Sequence, residues 1–345
     1  MTCKPSVEDI QVYGMGRVSD RCTVLGWPPC QEFFFGDMMK AAFFMKNGGP
    51  EVLQYGDVPD PVAGPGQVLV DVHAASVNGA DWKVRAGSYA PITKFPYVAG
   101  RDFSGVVSAL GAGVTDFKVG DPVFGVVEQV ADGCYAEKLA IRAAIVAKKP
   151  ESLSHIESAS LALIGLTALV SVEDTIKLKS GETILIQGGA GGVAGFGVQL
   201  AKHIGARVIT TASAANHDYL RKLGADQIVD YNKQDVAKVV SGCDAVFDTV
   251  GGDAVKSSFA VLKPGGRAAF IGSGPTAPAS PRSDVSSLRP KVGRDRAHLE
   301  RIVALVAKGA VRLPEIKVYP LSEAVAAHRV SEGRHLRGKL VFKVR

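Results

Sequence analysis

The stretch TILIQGGAGGVAGFGVQLAKHIGARVITTAS, residues 183–213, contains a strand, a glycine cluster, a helix and a second strand in succession. The spacing Gly189-x-Gly191-x-x-Ala194 fits the dinucleotide-binding fingerprint, in which small residues let the backbone approach a pyrophosphate. The amide groups and dipole of the following helix hold the negative charge of that pyrophosphate. This pattern predicts a parallel sheet with a dinucleotide bound at its first loop. The predicted contacts in this loop are Gly189, Gly191, Gly192, Val193 and Ala194.

The residues after the second strand bear on the choice of cofactor. An acid that binds the ribose 2′-hydroxyl is expected about 20 residues after the loop, and Thr211 stands there instead. A carboxylate would repel a 2′-phosphate, whereas Ser213, Asn216 and the amides of a helix beginning near Ala214 can donate hydrogen bonds to one. The alternative is that Ser213 only caps that helix. We therefore expect NADPH as the cofactor.

Length, charge and cysteine usage narrow the class of protein. A chain of 345 residues exceeds the usual size of one domain, so two domains are expected. It has no run of eighteen or more apolar residues and no signal or transit pattern at its start, which predicts a cytoplasmic, non-membrane protein. The five cysteines form no C-x-x-C pair and fit reduced thiols. The net charge of +6 could attract an anionic partner or be a solvated basic surface.

Hydrophobic patterning divides the chain. Residues 1–38 have no sustained period and contain Cys3, Cys22 and Cys30, so we interpret them as an appendage that is disordered or not native. From Met39, runs such as QVLVDVHAASVN and FSGVVSALG predict a β-rich domain of short strands. From about Ser158, apolar runs alternate with helical segments, which predicts a parallel sheet with helices on both faces. The last strand, helix and strand can return to the first domain.

Eight motifs between Met39 and the C-terminus resemble a known family. They occur in this order: SVNGADWK, AGRDFSGVV, VGDPVFG, GLTAL, GGAGGVAG, LGADQIVDY, VFDTVGG and GRHLRGKLVFKV. The chain resembles the zinc-free quinone oxidoreductase and enone (2-alkenal) reductase branch of the medium-chain dehydrogenase/reductase superfamily. The resemblance implies an α/β protein with a GroES-like, partly open β-barrel catalytic domain, residues 39–160 and 311–345. It also implies a Rossmann doubly wound parallel-sheet domain, residues 161–310, with the active site in the cleft between the two.

The positions of the metal ligands in zinc-dependent members of the superfamily hold other residues here. Those members use a Cys, a Gly-His-Glu run and a later Cys or Asp, whereas this chain has Asn78 and Gly100-Arg101-Asp102. Neither Asn nor Arg is a plausible zinc ligand at neutral pH. We therefore expect no metal. Without a metal, a conjugated acceptor is easier to reduce than a simple ketone, because its charge delocalises as the hydride arrives.

Four residues are the candidates for the chemistry. Lys83 matches a lysine of plant enone reductases and could donate a hydrogen bond to the product oxygen, or could be a solvated surface lysine. Asn78 could orient the nicotinamide ribose or the substrate carbonyl, or be a buried, satisfied amide. Tyr89 stands where relatives place an active-site tyrosine, although it could equally serve packing. Thr167 in GLTAL is expected to touch the nicotinamide rather than only pack inside its helix.

Further cofactor contacts are expected at the carboxyl ends of the parallel strands, where ligands of open sheets bind. The resemblance adds a tyrosine beside the 2′-phosphate and a glycine-lysine pair that returns to the cofactor. These predicted contacts are Tyr231, Val250, Gly251, Ile271, Gly272, Gly338 and Lys339.

The expected activity is the NADPH-dependent reduction of quinones or α,β-unsaturated carbonyl compounds by hydride from the nicotinamide C4. The sequence barely separates quinones from enones, and the DWK motif slightly favours enones. An alternative of another class is a non-catalytic NADPH-binding protein that also binds RNA, but no nucleic-acid module supports such a partner. The run RAAFIG is interpreted as the apolar last strand of the sheet, which predicts pairing into a homodimer.

Overall fold

The computed structural model describes residues 37–89, 91–129 and 131–345. The predicted appendage, residues 1–38, and its three cysteines therefore lie almost wholly outside the described residues. Within them, Cys134 and Cys243 are buried free thiols. Residues Met39–Arg345 form one compact unit.

The first part of the chain consists mainly of antiparallel strands. They are β1 Met38–Phe44, β2 Gln54–Pro59, β3 Gln67–Val77, β4 Tyr97–Val98, β5 Asp102–Leu110, β6 Pro122–Val126, β7 Lys138–Arg142 and β8 Val146–Lys148, with helix α1 Gly79–Arg85 between β3 and β4. Helix α2 follows at His155–Leu169 and continues as a π-helical segment, Val170–Ile176.

The second part alternates strands and helices. Its elements are β9 Thr183–Gln187, α3 Gly192–Ile204, β10 Arg207–Thr211, α4 His217–Lys222, β11 Gln227–Val229, α5 Val236–Val239, β12 Cys243–Asp248, α6 Ala254–Ala260, β13 Leu262–Phe270, β14 Ser286–Leu288 and α7 Arg296–Ala307. The chain ends with β15 Ile316–Pro320, α8 Ala324–Glu332 and β16 Lys339–Lys343.

Two large sheets organise these elements. The six strands of the second part are all parallel and follow the order β11-β10-β9-β12-β13-β14. This is the 3-2-1-4-5-6 order of a doubly wound dinucleotide-binding sheet. The other large sheet has the order β15-β16-β3-β5-β6-β8, with β7 also paired to β3, so the C-terminal strands join the β-rich part. The predicted α/β fold with a GroES-like barrel and a Rossmann sheet is confirmed.

Helix α2 packs against both the β-rich part and the parallel sheet. Reciprocal bonds between Ser154 and Glu157 cap its start, because the N–H of each residue donates to the side-chain oxygen of the other. Its apolar side chains share one buried cluster with Phe124 of β6 and Ile186 of β9. Among the described residues, one helix is long and apolar enough to cross a membrane: α2 with its π-helical continuation, His155–Ile176. However, 78% of its most apolar window is buried inside the protein. A core helix that is mostly buried can have the same length and apolar composition.

The interpretation of RAAFIG as the last strand of the sheet is wrong. Strand β13 pairs on its far side with β14, where Ala268 lies opposite Ser287 and Ala269 opposite Leu288. The segment that follows β13 returns as β14 and pairs with the outer edge of β13. The edge of the sheet is thus a strand of three residues.

Candidate functional site

The glycine loop after β9 is held in place by the end of β10. A Cβ added at Gly189 would overlap the hydroxyl of Thr210, so this position requires glycine. The Thr211 hydroxyl donates to Gln187 Oε1 at 2.8 Å and accepts from the Gly188 N–H at 3.0 Å. Thr211 is therefore buried in the loop. It is the last residue of β10, where the acid is expected, and its hydroxyl is engaged by the end of β9 and the loop.

The start of helix α3 offers hydrogen-bond donors to a ligand. Gly191 is the N-cap, and the helical ladder begins where the Gly195 N–H donates to the Gly191 carbonyl at 2.7 Å. Among the described residues, the N–H groups of Val193 and Ala194 have no hydrogen-bond acceptor. Such a helix start is suited to an anionic phosphate, and the cradle of small residues fits the pyrophosphate of a dinucleotide.

The predicted Gly338-Lys339 pair lies directly against this loop. The Gly338 N–H donates to the Ala190 carbonyl at 3.2 Å, and a Cβ at Gly192 would lie 3.0 Å from Lys339 Cδ. The Lys339 ammonium donates to Asn78 Oδ1 at 2.7 Å. Burial lowers the pKa of Lys339, against opposing charges from nearby aspartates. Strand β16 thus joins the cofactor loop to the β-rich part of the site.

The ends of β12 and β13 meet next to the glycine loop. Asp248 Oδ1 accepts the N–H groups of Val250 and Gly251 at 2.9 and 2.8 Å. The Ile271 N–H donates to the Asp248 carbonyl at 3.0 Å, and a Cβ at Gly251 would lie 2.6 Å from the Gly272 carbonyl oxygen. The four predicted contacts in this region are therefore brought together. They lie at the carboxyl ends of the strands, as a ligand of this fold requires.

The predicted 2′-phosphate residues flank the end of β10. Ser213 is the N-cap of a short 3-10 turn, Ala214–Asn216, but its side chain makes no capping hydrogen bond. Its oxygen instead accepts from Asn216 Nδ2 at 3.2 Å. Tyr231 follows β11 and is 49% exposed. The Ser213 hydroxyl proton is consequently available to a ligand.

Asn78 is fully hydrogen-bonded within the protein. Its Nδ2 donates to Asp102 Oδ1 at 2.6 Å and to the Ser76 carbonyl at 3.2 Å, while its Oδ1 accepts from Lys339. Asp102 also accepts from the Ser76 hydroxyl at 2.8 Å and from the Leu163 N–H of α2 at 3.1 Å. Of the two interpretations of Asn78, the geometry favours the buried, satisfied amide, which positions Lys339 rather than the substrate.

Lys83 is partly buried on helix α1. Its ammonium lies 5.6 Å from the centroid of the Trp82 ring and has no hydrogen-bond acceptor among the described residues. Burial lowers the pKa of Lys83, and the positive charges of Arg334 and Arg289 lower it further. Its donors are thus free for an acceptor oxygen or anion.

Tyr89 and Thr167 occupy different surroundings. Tyr89 is 40% exposed, and its ring lies 5.5 Å from the guanidinium carbon of Arg101. Thr167 is buried in α2, one turn after Leu163, whose N–H reaches Asp102. Tyr89 is therefore accessible to solvent, whereas Thr167 is enclosed within the protein.

Asp81 and three arginines at this site were missed as site residues by the sequence reasoning. Asp81 Oδ2 accepts from the Asn78 N–H at 2.8 Å and the Tyr135 hydroxyl at 2.7 Å. Burial raises the pKa of Asp81 to about 6 despite the opposing charge of Arg101. Arg101 was noted only as a departure from a zinc ligand. Arg289 and Arg294 lie in a long loop without hydrophobic period, so only the basic composition of that loop could have indicated them.

Within residues 37–89, 91–129 and 131–345, no group of three or more His, Cys, Asp or Glu side chains could hold a metal ion. Asn78 and Arg101 stand where zinc-dependent relatives carry ligands, and Asp102 accepts three hydrogen bonds from the protein.

Two curated relatives match nearly the whole chain. A chloroplast envelope quinone oxidoreductase homolog of Arabidopsis thaliana is 32% identical and covers 89% of this chain and 99% of its own length. A 2-haloacrylate reductase of a Burkholderia species is 33% identical over 88% of this chain and 99% of its own length.

Solved structures and family models agree with this likeness. A quinone oxidoreductase from Coxiella burnetii has a TM-score of 0.83 at 38% identity, covering 90% of this chain and 100% of its own. A mycobacterial protein complexed with NADPH has a TM-score of 0.82 at 32% identity, covering 89% and 100%. The alcohol dehydrogenase GroES-like domain model matches residues 64–151, and the zinc-binding dehydrogenase model matches residues 223–342. The chain therefore belongs to the medium-chain dehydrogenase/reductase superfamily and is an oxidoreductase with quinone oxidoreductase homologues.

Proposed function

We propose that the protein is an NADPH-dependent reductase of quinones or α,β-unsaturated carbonyl compounds that works without a metal. The observation that carries this proposal is the contact between Gly338-Lys339 of the β-rich part and the glycine loop. Because of that contact, a dinucleotide on the loop and the side chains of the cleft share one site. The names of the relatives, quinone oxidoreductase and 2-haloacrylate reductase, support acceptors with conjugated double bonds.

The choice of NADPH rests on the end of β10. Ser213 and Asn216 offer neutral donors there, and the exposed Tyr231 lies after the neighbouring strand. Neutral donors suit a 2′-phosphate, whereas a carboxylate would favour the free ribose hydroxyl of NADH. A relative with an NADPH complex supports the same choice.

When bound, the cofactor supplies hydride from its nicotinamide C4. Negative charge then develops on the carbonyl or quinone oxygen of the acceptor, where hydrogen-bond donors lower the barrier. Lys83 supplies such a donor, because its ammonium has no protein acceptor and its lowered pKa makes it more acidic. Thr167 and the network of Asn78, Asp102 and Lys339 hold the floor of the cleft in place. The proton that completes the product comes from solvent.

Turnover of an acceptor panel tests this function. We expect NADPH oxidation with a benzoquinone or a linear enone, no oxidation with the matching saturated ketone, and the same rate after treatment with a chelator. One zinc per chain, with activity lost on its removal, would refute the metal-free proposal. Absence of NADPH oxidation with every acceptor would favour a non-catalytic cofactor-binding protein.

A further inference from the structure

Basic side chains from separate elements converge around Tyr89. Arg101 lies under the Tyr89 ring, and its carbonyl accepts from the Val127 N–H at 2.6 Å. The carbonyl of Val127 in turn accepts from Arg294 Nε at 3.0 Å. Arg289, the residue after β14, brings a further guanidinium, which donates to the Phe270 carbonyl at the end of β13 at 2.7 Å. Arg101 belongs to the β-rich part, whereas Arg289 and Arg294 follow the last strand of the parallel sheet. Both parts of the molecule thus place cations near Tyr89.

These cations are poorly compensated by the protein. Arg101 is 3% exposed, and its Nη2 is buried with no hydrogen-bond partner. Its nearest carboxylate is Asp81, 3.9 Å from Nε, at the limit of an ion pair. Lys83, Arg289 and Arg294 make no ion pair with a carboxylate among the described residues. Burial, together with the charge of Arg101, lowers the pKa of Arg294 to about 10.

The other acidic side chains close to this opening are already engaged. Asp102 accepts from Ser76, Asn78 and a backbone N–H of α2, and Glu128 pairs with Arg142 on the surface. A buried guanidinium without a partner is costly, and a bidentate carboxylate is the group that best satisfies it. The arrangement is therefore complementary to an anion that the protein itself does not supply.

The phosphates of the cofactor are an unsuitable partner for this cluster. The 2′-phosphate position is proposed after β10, whereas the Arg289 guanidinium lies against the end of β13, three strand spacings away across β9 and β12. At the usual spacing of strands this separation is about 14 Å. A pyrophosphate held at the start of α3 would lie between these two positions. The cations consequently lie in the half of the sheet that holds the nicotinamide, where the acceptor must bind.

We propose that Arg289 and Lys83, with the buried charge of Arg101 behind them, bind the carboxylate of the acceptor, so that the substrate class is an activated alkene bearing a carboxylate, such as a 4-oxo-2-enoate. This inference rests on the proposed function. In such an acceptor the hydride forms a C–H bond at the alkene carbon next to the carboxylate, which is β to the ketone. The electrons of the double bond move to the ketone oxygen, and a solvent proton completes the α carbon. NADPH is oxidised to NADP⁺, and the alkene is reduced.

A matched pair of substrates tests the inference: trans-4-oxo-2-pentenoate and its methyl ester, which keeps the reacting bond but lacks the charge. We expect kcat/KM for the acid to exceed that for the ester at least tenfold. In Arg289→Gln the ratio of kcat/KM for the acid to kcat/KM for the ester falls at least tenfold. Arg289→Lys keeps most of the wild-type ratio, because lysine retains the positive charge. The control Arg329→Gln removes one exposed positive charge on α8 and leaves the ratio unchanged.

The outcomes separate the inference from the proposed function. If the wild type reduces the ester or a quinone as well as or better than the acid, the inference is overturned and the reductase proposal stands. If Arg289→Gln weakens NADPH binding tenfold in a fluorescence titration, the cations serve the cofactor and the inference is also overturned. If no acceptor oxidises NADPH, both fail.

Discussion

The Ser213 hydroxyl makes no capping bond to the turn that it begins, and its neighbour Asn216 adds an amide at the same place. A hydrogen bond to a charged phosphate contributes about 1.5–3 kcal/mol. We expect the wild type to prefer NADPH over NADH by about two orders of magnitude in kcat/KM, or about 2.7 kcal/mol. Ser213→Ala should lower kcat/KM for NADPH about tenfold or more and leave NADH unchanged.

Ser241 is exposed and precedes β12, so it lies at the other end of this strand from the carboxyl edge of the sheet. It provides a control. Ser241→Ala should leave both cofactors unaffected. A wild type that uses NADH equally well, or a Ser213→Ala variant with an unaltered ratio, would assign Ser213 a purely structural role.

Thr211 should act on stability and not on cofactor choice. Thr211→Val leaves the Gly188 N–H and the Gln187 Oε1 without their partner, and an unsatisfied buried group costs about 1–3 kcal/mol. We expect urea unfolding to show a loss of that size, and NADPH and NADH to weaken equally because both share the pyrophosphate on this loop. Selective loss of NADPH binding would mean that the hydroxyl contacts the 2′-phosphate after all.

At this scale the sequence predicted the glycine loop and the helix that follows it, because the fingerprint is local. It could not predict where Thr211 and Asn78 direct their side chains. Thr211 hydrogen-bonds to the end of a neighbouring strand, and Asn78 bonds to Asp102 and Lys339, which are remote in sequence. Both outcomes depend on how the sheets pack.

Two helices of the β-rich part are joined by a buried polar link. Arg85 on α1 is 1% exposed, forms an ion pair with Glu332 of α8, and shares a 2.9 Å hydrogen bond with His328 Nδ1. Burial, together with the charge of Arg85, lowers the pKa of His328 to about 3. His328 is therefore neutral in the folded protein over the physiological range.

This link predicts a pH dependence of stability. Between pH 6.5 and about 3 the unfolded chain binds a proton at residue 328 that the folded protein does not, so stability falls as the pH falls through this window. The slope from this group approaches about 1.4 kcal/mol per pH unit. We expect His328→Gln, which cannot be protonated, to show a shallower decline in unfolding free energy from pH 6.5 to 4. Parallel curves for the two proteins would contradict the buried neutral histidine.

Among the elements, long periodic segments were predictable and short ones were not. The alternation from β9 to β13 is evident in the sequence because each apolar run is flanked by a turn signal. Strand β14 consists of Ser286–Leu288, which has no apolar pattern of its own. It forms because the apolar edge of β13 offers unpaired backbone groups, a requirement that appears only in the assembled sheet.

At the scale of the whole molecule, we propose a homodimer. The parallel sheet ends at β14, whose first residue, Ser286, is exposed, and an edge strand presents backbone groups to a second copy. We expect sedimentation at micromolar concentration to give a dimer, and Ser286→Lys to weaken it by placing like charges at the pairing edge. A fully active monomer in the wild type would refute the proposal.

The order of motifs along the chain was sufficient to predict the two-part architecture, because the parallel-sheet part is one contiguous segment and the β-rich part is two segments with their own motifs. The basic opening around Tyr89 was not predictable, since it combines Arg101, Arg289 and Arg294 from parts of the chain that meet only after folding. Sequence spacing contains no signal for such a meeting.

The fate of the transferred hydride tests the central proposal most directly. The experiment uses NADPH deuterated at both C4 positions, an α,β-unsaturated ketone as acceptor and the purified wild-type protein. We predict that mass and NMR spectra of the product show one deuterium on the carbon β to the carbonyl, and that in deuterated water with unlabelled NADPH the label appears on the α carbon. Deuterium from the cofactor on the carbonyl carbon, or none in the product, would contradict the proposal.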